Sequence, residues 1–308
     1  MYSGDLKGLI DNIEKVIVGK TETVKLLIVG LLTNGHILIE DVPGLGKTML
    51  ALALAKSISG DFKRIQFTPD LLPTDVTGGF VYNPKSQEFD FRKGPVFTNI
   101  LLADEINRTT PRTQSALLEC MQEYKVTADG KSFTLQQPFM VIATQNPIEY
   151  QGTYPLPEAQ IDRFLMKINM GYLSTPEEVR VISGQKIKHP IEDLKPVTEL
   201  GMVLGLQEKV KNIDISHNVL EYIVKLVSAT RNKEEIKLGA SPRASIALMK
   251  ASCAWALIEG RDYVIPDDVV KLSPWILKHR LILQPRVSIS GKTPEDIIAE
   301  LLRNTPIP

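Results

Sequence analysis

Residues 36–50 read HILIEDVPGLGKTML, a short apolar run followed by a glycine-containing loop and the pair Lys47-Thr48. The apolar run predicts a buried strand at 37–39, and a helical pattern from 47 to 58 follows the loop. Gly44 and Gly46 permit backbone conformations that a Cβ would forbid, so successive amide N–H groups can turn inward around an anion. A strand, a glycine loop and a helix N-terminus in this order are typical of a phosphate-binding loop.

The end of this loop also carries the side chains that a nucleoside triphosphate requires. We expect Lys47 to reach the β- and γ-phosphates and the Thr48 hydroxyl to ligate Mg²⁺. The general pattern has glycine at position 41, where this chain has Asp41, so the match is incomplete at the loop entrance. The residues expected to contact the nucleotide here are Pro43, Gly44, Leu45, Gly46, Lys47, Thr48 and Met49. The alternative is a strand–turn–helix that contains GKT without binding phosphate.

A second motif, NILLADEINR, ends an apolar run at 99–103 with Asp104 and Glu105. A carboxylate at the tip of a strand beside the phosphate loop can hold Mg²⁺ through water, and we expect this of Asp104. Glu105 is then placed to polarise the attacking water. Paired acids after a strand can also be an ordinary exposed loop.

Three further polar residues, later in the chain, are candidates for the same site. Asn146, in ATQNP, is expected to orient the water or sense the γ-phosphate. Arg163, just before a strand, could reach a neighbouring subunit's nucleotide, whereas Arg243, at a helix N-terminus, could fold back onto its own subunit's phosphates. Either arginine could instead form a surface ion pair. Arg108 and Arg112 are the other candidates for a role between subunits.

Apolar runs of strand length alternate with helical patterns through the first 172 residues, at 37–39, 62–67, 99–103, 139–143 and 164–170. This alternation predicts an α/β core with a parallel sheet. Two segments interrupt it, near 74–95 and 125–135, and both contain turn signals, including Asp129-Gly130. We interpret both segments as β-hairpins inserted into the core.

The pattern changes after residue 172. Residues 173–197 are expected to form one helix, at 175–188, and a linker. Residues 198–308 are expected to form an all-α domain, with helices at 198–212, 217–231, 242–259, 266–279 and 294–303.

Composition limits the possible functions. The chain has 308 residues, 36 Lys+Arg and 36 Asp+Glu, so it lacks the basic excess usual in nonspecific nucleic-acid binders. Its two cysteines, Cys120 and Cys253, form neither a metal spacing nor a disulfide framework. The longest apolar run, 26–32, is too short to span a bilayer, and no secretory signal precedes the core. We therefore expect a cytoplasmic protein.

Several stretches together resemble one family. They are EDVPGLGKT (40–48), FTPDLLPTDVTG (67–78), LLADEINRTTPRTQSALLECMQE (101–123), ATQNPIEYQGTYPLPEAQIDRF (143–164) and GASPRAS (239–245). In combination they are similar to the MoxR family of AAA+ ATPases, over nearly the whole chain. Asp41 in place of glycine is also similar to what this family often shows.

The resemblance implies a fold and an assignment for each motif. The core would be an AAA+ αβα sandwich at 1–172 with strand order 5-1-4-3-2, followed by a C-terminal helical lid. The ATP site would lie between subunits of a ring, commonly a hexamer, with Val18-Gly19 beside the adenine. The hairpins would match the family's helix-2 and pre-sensor-1 insertions. Asp104-Glu105 would be the Walker B pair, Asn146 sensor 1, Arg163 the trans arginine finger and Arg243 sensor 2.

The resemblance also implies a function. MoxR proteins act as chaperone-like ATPases that assist maturation, cofactor insertion or assembly of other proteins, often with a partner that carries a von Willebrand factor A domain. Two alternatives stay open. One is an AAA+ nucleic-acid motor or loader, in which Lys125 and Lys131 on the second hairpin would track a backbone. The other is a non-catalytic subunit or a GTP switch, although no N-K-x-D guanine-reading sequence occurs.

Overall fold

A computed structural model describes residues 2–147 and 153–308 of the chain. Residues 148–152, inside the motif stretch 143–164, lie outside the described residues. The strands in chain order are β1 (Ile37–Glu40), β2 (Phe62–Gln66), β3 (Gly78–Asn83), β4 (Glu88–Lys93), β5 (Ile100–Asp104), β6 (Lys125–Ala128), β7 (Lys131–Thr134), β8 (Met140–Gln145), β9 (Met166–Ile168), β10 (Ile236–Leu238) and β11 (Ile282–Leu283).

Helices separate most of these strands. They are α1 (Tyr2–Glu14), α2 (Thr21–Leu32), α3 (Lys47–Ser57), α4 (Pro73–Thr77), α5 (Pro111–Glu123), α6 (Glu158–Ile161), α7 (Thr175–Gly184), α8 (Pro190–Asp193), α9 (Leu200–Lys211), α10 (His217–Ala229), α11 (Pro242–Ile258), α12 (Pro266–Leu277), α13 (Pro285–Ile289) and α14 (Pro294–Asn304). Short 3₁₀ turns follow β5 at Ile106–Arg108 and α12 at Lys278–Arg280. No helix among the described residues is long and apolar enough to cross a membrane.

Five parallel strands form the central sheet in the order β2-β5-β8-β1-β9. Counted by their place among the core strands, this is the expected order 5-1-4-3-2, which is confirmed. Because all five strands run the same way, the loops that follow them meet at one edge of the sheet. We call this the carboxyl edge, and the opposite one the amino edge.

The continuous apolar runs are explained by cover on both faces of the sheet. Along β5, Ile100 and Leu102 join the apolar cluster of one face, whereas Leu101 and Ala103 join that of the other. All four side chains are fully buried. The alternation of strand side chains therefore fills two cores, and a polar residue within these runs would be buried on either face.

Both inserted hairpins are present. The first, β3–β4, begins at Gly78, because α4 occupies the first residues of the predicted segment. Gly78 has φ +86°, and a Cβ there would lie 2.2 Å from the Arg92 carbonyl oxygen, so glycine is required. The second, β6–β7, turns at Asp129-Gly130 as predicted, with positive φ at both residues. The hairpins pack together through Phe91 and Phe133, whose stacked rings have centroids 3.9 Å apart.

The C-terminal part is helical as predicted, with one addition. A short antiparallel ladder, β10–β11, lies between α10 and α13. Its strands have only three and two residues, too few to produce an alternating pattern in the sequence. The ladder was therefore missed in the all-α prediction.

This lid shares its core with the N-terminal helices. One apolar cluster runs without a break from α1 and α2 through α3 and the lid helices, for example from Leu27 to Leu206 and Leu272. Within it, the buried Gln207 amide donates to the Leu31 carbonyl at 2.7 Å. The lid is therefore packed against one face of the core.

Candidate functional site

The phosphate loop connects β1 to α3 at the carboxyl edge of the sheet. Gly44 and Gly46 have φ +88° and +87°, conformations that side-chain-bearing residues rarely adopt. A Cβ at either position would meet nothing within 4 Å, so the requirement for glycine comes from the backbone and not from crowding. Lys47 and Thr48 then form the first turn of α3, where the unpaired N–H groups and the helix dipole favour an anion.

A cleft of about 250 Å³ opens over this loop. Its lining combines the loop with the tips of β2, β5 and β8: Pro43, Gly44, Gly46, Lys47, Thr48, Met49, Arg64, Gln66, Asp104, Glu105 and Asn146. The structure thus brings together the predicted phosphate, metal and water residues. It does not bring Leu45, Val18, Gly19, Arg163 or Arg243 into the lining of this cleft.

Lys47 is half-buried at the centre of the cleft. Its Nζ donates to the Asp41 carbonyl oxygen at 2.7 Å. Burial lowers the pKa of the ammonium below its ordinary value, while the carboxylates of Asp104, Asp41 and Glu105 act in the opposite direction. Partial desolvation strengthens the attraction of this ammonium for an anionic ligand, whereas the three carboxylates compete with that ligand for it.

Asp104 is held by two side chains. Its Oδ1 accepts the Thr144 hydroxyl at 2.6 Å, and its Oδ2 accepts Arg64 Nη2 at 2.6 Å and Nε at 3.1 Å. Arg64 is not among the site residues predicted from the sequence. No motif marks it, because its position depends on the parallel pairing of β2 with β5, which sets Gln66 opposite Asp104 and Arg64 opposite Leu102.

Glu105 follows β5 in a left-handed backbone conformation, φ +56°. Its amide N–H donates to the Thr144 hydroxyl oxygen at 2.9 Å. Its Oε2 accepts Gln66 Nε2 at 2.6 Å and Arg108 Nη1 at 2.9 Å. Arg108, a reserve candidate for a role between subunits, is thus engaged within its own subunit, whereas Arg112 is exposed in the first turn of α5.

Asn146 directly follows β8 and is buried at the edge of the same cleft. Glu105 lines the same cleft, and the role of Asn146 in orienting water or sensing the γ-phosphate stays a prediction.

Thr48 and Asp104 offer a hydroxyl and a carboxylate to one cleft. Mg²⁺ typically takes one or two protein oxygens and completes its shell with water and substrate phosphates. No group of three or more His, Cys, Asp or Glu side chains within residues 2–147 and 153–308 could enclose a metal ion. The residues present therefore fit a metal that arrives with a phosphate ligand.

Arg163 and Arg243 lie at the opposite edge of the sheet. They share a second cleft, of about 290 Å³, with Gly35 and His36 before β1 and with Asp162 before β9. Residues that precede parallel strands mark the amino edge. The four residues of β1 separate this cleft from the phosphate loop by roughly 13 Å.

The expectation that Arg243 folds back onto its own subunit's phosphates is therefore wrong for this structure. Arg243 Nη1 lies 3.9 Å from Asp162 Oδ2 instead. The reason is the placement of the lid: the buried Arg280 binds Asp162 through Nε at 2.7 Å and donates to the Phe164 carbonyl at 2.7 Å. These contacts hold the start of α11 over the amino edge.

Val18 and Gly19 precede α2, and Gly19 lies against the segment that follows β9. A Cβ on Gly19, which has φ +71°, would lie 2.2 Å from Glu177 Oε1. The neighbouring Lys20 Nζ donates to the Tyr172 carbonyl at 2.9 Å. The proximity of Val18-Gly19 to a nucleotide base stays a prediction.

Comparison with known proteins agrees with this architecture. Residues 36–166 match the model of the ATPase family associated with various cellular activities (AAA), and residues 228–301 match that of the AAA lid domain.

Similar proteins extend over the full length of the chain. Uncharacterized protein YeaC of Bacillus subtilis is 53% identical, over 100% of this chain and 97% of that protein. Chaperone MoxR1 of Mycobacterium tuberculosis is 45% identical, over 98% of this chain and 82% of that protein. A crystal structure from Cytophaga hutchinsonii, described as a candidate ATPase, is 42% identical and superposes with a TM-score of 0.92, covering 100% of this chain and 96% of that one.

Proposed function

This chain is a member of the MoxR family of AAA+ ATPases, and we propose that it hydrolyses Mg²⁺-bound ATP to drive chaperone-like remodelling, maturation or cofactor insertion in partner proteins. The observation that carries the proposal is the single cleft in which the phosphate loop, Asp104, Glu105 and Asn146 meet.

The binding roles follow from the position of each group. The inward N–H groups of the loop and the Lys47 ammonium hold the β- and γ-phosphates, which requires Lys47 to leave the Asp41 carbonyl. Thr48 and Asp104 would hold Mg²⁺, which would neutralise charge on the phosphates.

The water-activating role falls to Glu105. Its carboxylate must be released, at least in part, from Gln66 and Arg108 before it can accept a proton from water. Asn146, beside it at the tip of β8, orients that water. The positions of Gln66 and Arg108 support a resting state in which Glu105 is held back.

The arginines act between subunits in this proposal. AAA+ proteins of this family form rings, and each subunit carries the phosphate cleft and the arginine cleft at opposite edges of its sheet. A head-to-tail ring joins unlike surfaces of neighbouring subunits. Arg163 and Arg243 of one subunit would then complete the nucleotide site of the next, and we propose a hexamer.

A client and a von Willebrand factor A domain protein are the proposed partners, in the cytoplasm. The tip of the β3–β4 hairpin supports a partner-facing role, because Tyr82 and Phe89 pack on each other yet remain 51% and 66% exposed. Co-purification from the native cell followed by mass spectrometry would identify the partners. The second hairpin gives a nucleic-acid motor less support, because Lys125 lies 3.7 Å from Glu123 and Lys131 lies over the Phe80 ring.

Glu105→Gln tests the proposed reaction. We expect the variant to bind ATP as tightly as the wild type and to release phosphate at least about 100-fold more slowly, because the amide cannot accept the proton. Glu208→Gln, an exposed carboxylate on the lid helix α9, is the matched control. Wild-type phosphate release in the Glu105 variant would exclude the assigned role.

A further inference from the structure

Asp41 forms hydrogen bonds through its amide N–H, its carbonyl and one carboxylate oxygen. Its amide N–H donates to the Gln145 carbonyl at 3.2 Å, and its own carbonyl accepts Lys47 Nζ at 2.7 Å. Its carboxylate Oδ2 accepts the amide N–H groups of Met170 and, at 3.0 Å, Gly171. One residue therefore joins the phosphate loop to the tip of β8 and to the turn that follows β9.

The residues around Asp41 reinforce the same junction. Asn169 Nδ2 donates to the Glu40 carbonyl at 2.6 Å, and Lys167 Nζ pairs with the Glu40 carboxylate at 2.5 Å. Lys278, a buried lysine of the lid, donates to Asn169 Oδ1. The entrance of the phosphate loop is thus connected through 167–171 to the lid.

The backbone at position 41 does not need glycine. Asp41 is absent from the positive-φ residues of the described chain, whereas Gly44 and Gly46 are among them. A glycine at 41 would adopt the same backbone but would leave the Met170 and Gly171 amides without their acceptor, and Met170 is buried. Aspartate at position 41, in place of the glycine of the general phosphate-loop pattern, therefore adds two hydrogen bonds without steric conflict.

We propose that Asp41 is a positioning residue that fixes the phosphate loop to the turn at 170–171, so that nucleotide binding at the loop is transmitted to the segment 170–177. The proposal rests on ATP binding at the loop as proposed above. Lys47 must leave the Asp41 carbonyl to reach a phosphate, so binding changes the contacts of Asp41 itself.

The segment that receives this change leads to two other parts of the molecule. The Tyr172 carbonyl, directly after Gly171, accepts a hydrogen bond from Lys20. Two residues later, the amide and the hydroxyl of Ser174 donate to the Glu177 carboxylate in the first turn of α7. Glu177 in turn lies against Gly19. The turn at 170–171 therefore joins the phosphate loop to α7 and to the loop before α2.

Two substitutions and a control separate positioning from general stability. Asp41→Ala removes the acceptor. Asp41→Asn keeps it, because both hydrogen bonds go to a single oxygen that an amide can replace. Asp61→Ala removes an exposed aspartate before β2 and should leave nucleotide binding unchanged.

The measurements are ATP affinity with a fluorescent ATP analogue and hydrogen exchange of peptides covering 167–177, each with and without Mg²⁺-ATP. We expect Asp41→Ala to weaken affinity about tenfold, and Asp41→Asn to stay within about twofold of the wild type. In the wild type and the Asn variant, nucleotide should slow exchange in 170–177, and in the Ala variant that response should be lost.

Wild-type affinity together with a wild-type exchange response in Asp41→Ala would overturn the positioning role, and so would an Asn variant as impaired as the Ala variant. Should Asp41→Ala fail to fold, Asp41→Glu replaces it, because its carboxylate is displaced by one methylene. A Glu variant with the wild-type response would then overturn the role. A wild type that does not bind ATP would instead contradict the proposed function.

Discussion

Arg64 and Gln66 bind the two acids of the phosphate cleft, and neither was predicted to belong to it. They lie on the same face of β2 and reach the two acids at the tip of the neighbouring strand, Arg64 to Asp104 and Gln66 to Glu105. Neither belongs to a recognisable motif, because their importance comes from pairing with β5 and not from their neighbours in sequence. The acids themselves could be predicted, but the groups that hold them could not.

The Arg64–Asp104 pair makes a prediction about metal binding. Arg64 Nη2 lies 2.6 Å from the carboxylate that we assign to Mg²⁺, so the guanidinium competes with the metal. Because Arg64 is about half-exposed, Arg64→Ala should lower the half-saturating Mg²⁺ concentration of the ATPase only about two- to fivefold. Lys63→Ala, its exposed neighbour, is the control. An Arg64 variant that needs more Mg²⁺ would contradict this competition.

His36 makes a prediction about pH. It is fully buried, and burial lowers the pKa of its imidazole to about 4, against a hydrogen bond to the Met121 carbonyl that acts in the opposite direction. Its Nδ1 accepts the Val141 amide N–H at 2.9 Å and its Nε2 lies 2.8 Å from the Met121 oxygen, which fits the neutral ring protonated on Nε2. Protonation of Nδ1 would remove an acceptor from a buried amide.

The direction of the pH effect on stability follows from the lowered pKa of His36. Between about pH 6.5 and 4 the unfolded chain binds a proton at His36 that the folded chain does not, so the free energy of unfolding falls as the pH falls. The loss at His36 should be on the order of 3 kcal/mol over that interval. Histidine NMR should show His36 neutral until near pH 4, with the exposed His217 as the reference. A His36 titration near pH 6.5 would contradict the assignment.

At the scale of the elements, the strands, the hairpins and the lid helices could be predicted because each has a periodic pattern or a turn signal. The Asp129-Gly130 turn and the run NILLA are examples. The β10–β11 ladder and the helix α4 could not, because each is too short to carry a period. The edge of the sheet over which α11 begins depends on how the lid packs on the core, which no local sequence pattern encodes. The assignment of Arg243 to its own subunit's phosphates was wrong for that reason.

Arg280 is one of the residues that hold the lid on the core, and its removal should destabilise the protein. Its side chain is almost fully buried, pairs with Asp162 and donates to the carbonyls of Phe164 and Leu165. Arg280→Ala should lower the free energy of unfolding by about 3–5 kcal/mol, because it leaves Asp162 Oδ1 and the carbonyls without their charged donor. Denaturant unfolding measures this, with the exposed Arg286→Ala as control. A loss below about 1 kcal/mol would show that other contacts hold the lid.

At the scale of the whole molecule, the family and its sheet order were evident from the sequence, because the motifs occur together over nearly the full length. The relative position of the phosphate cleft and the arginine cleft was not evident from the sequence. It depends on the parallel sheet, which separates the ends of each strand, and on the lid, which packs over the amino edge. In the proposed ring, each subunit would therefore offer one nucleotide cleft and, at the far edge, the arginines that complete the cleft of a neighbour.

Mixing two inactive variants tests this shared site most directly. Lys47→Ala lacks a working phosphate cleft but keeps both arginines, and the double variant Arg163→Ala/Arg243→Ala has the opposite defect. Phosphate release is measured for each alone and for an equal mixture, after subunit exchange and at a concentration that forms rings.

In the mixture, one interface in four joins an intact cleft to intact arginines, so activity should return to about a quarter of the wild-type rate per subunit. Each variant alone should remain close to inactive. A mixture no more active than the average of its two components, in rings shown to contain both, would contradict a nucleotide site completed by the neighbouring subunit.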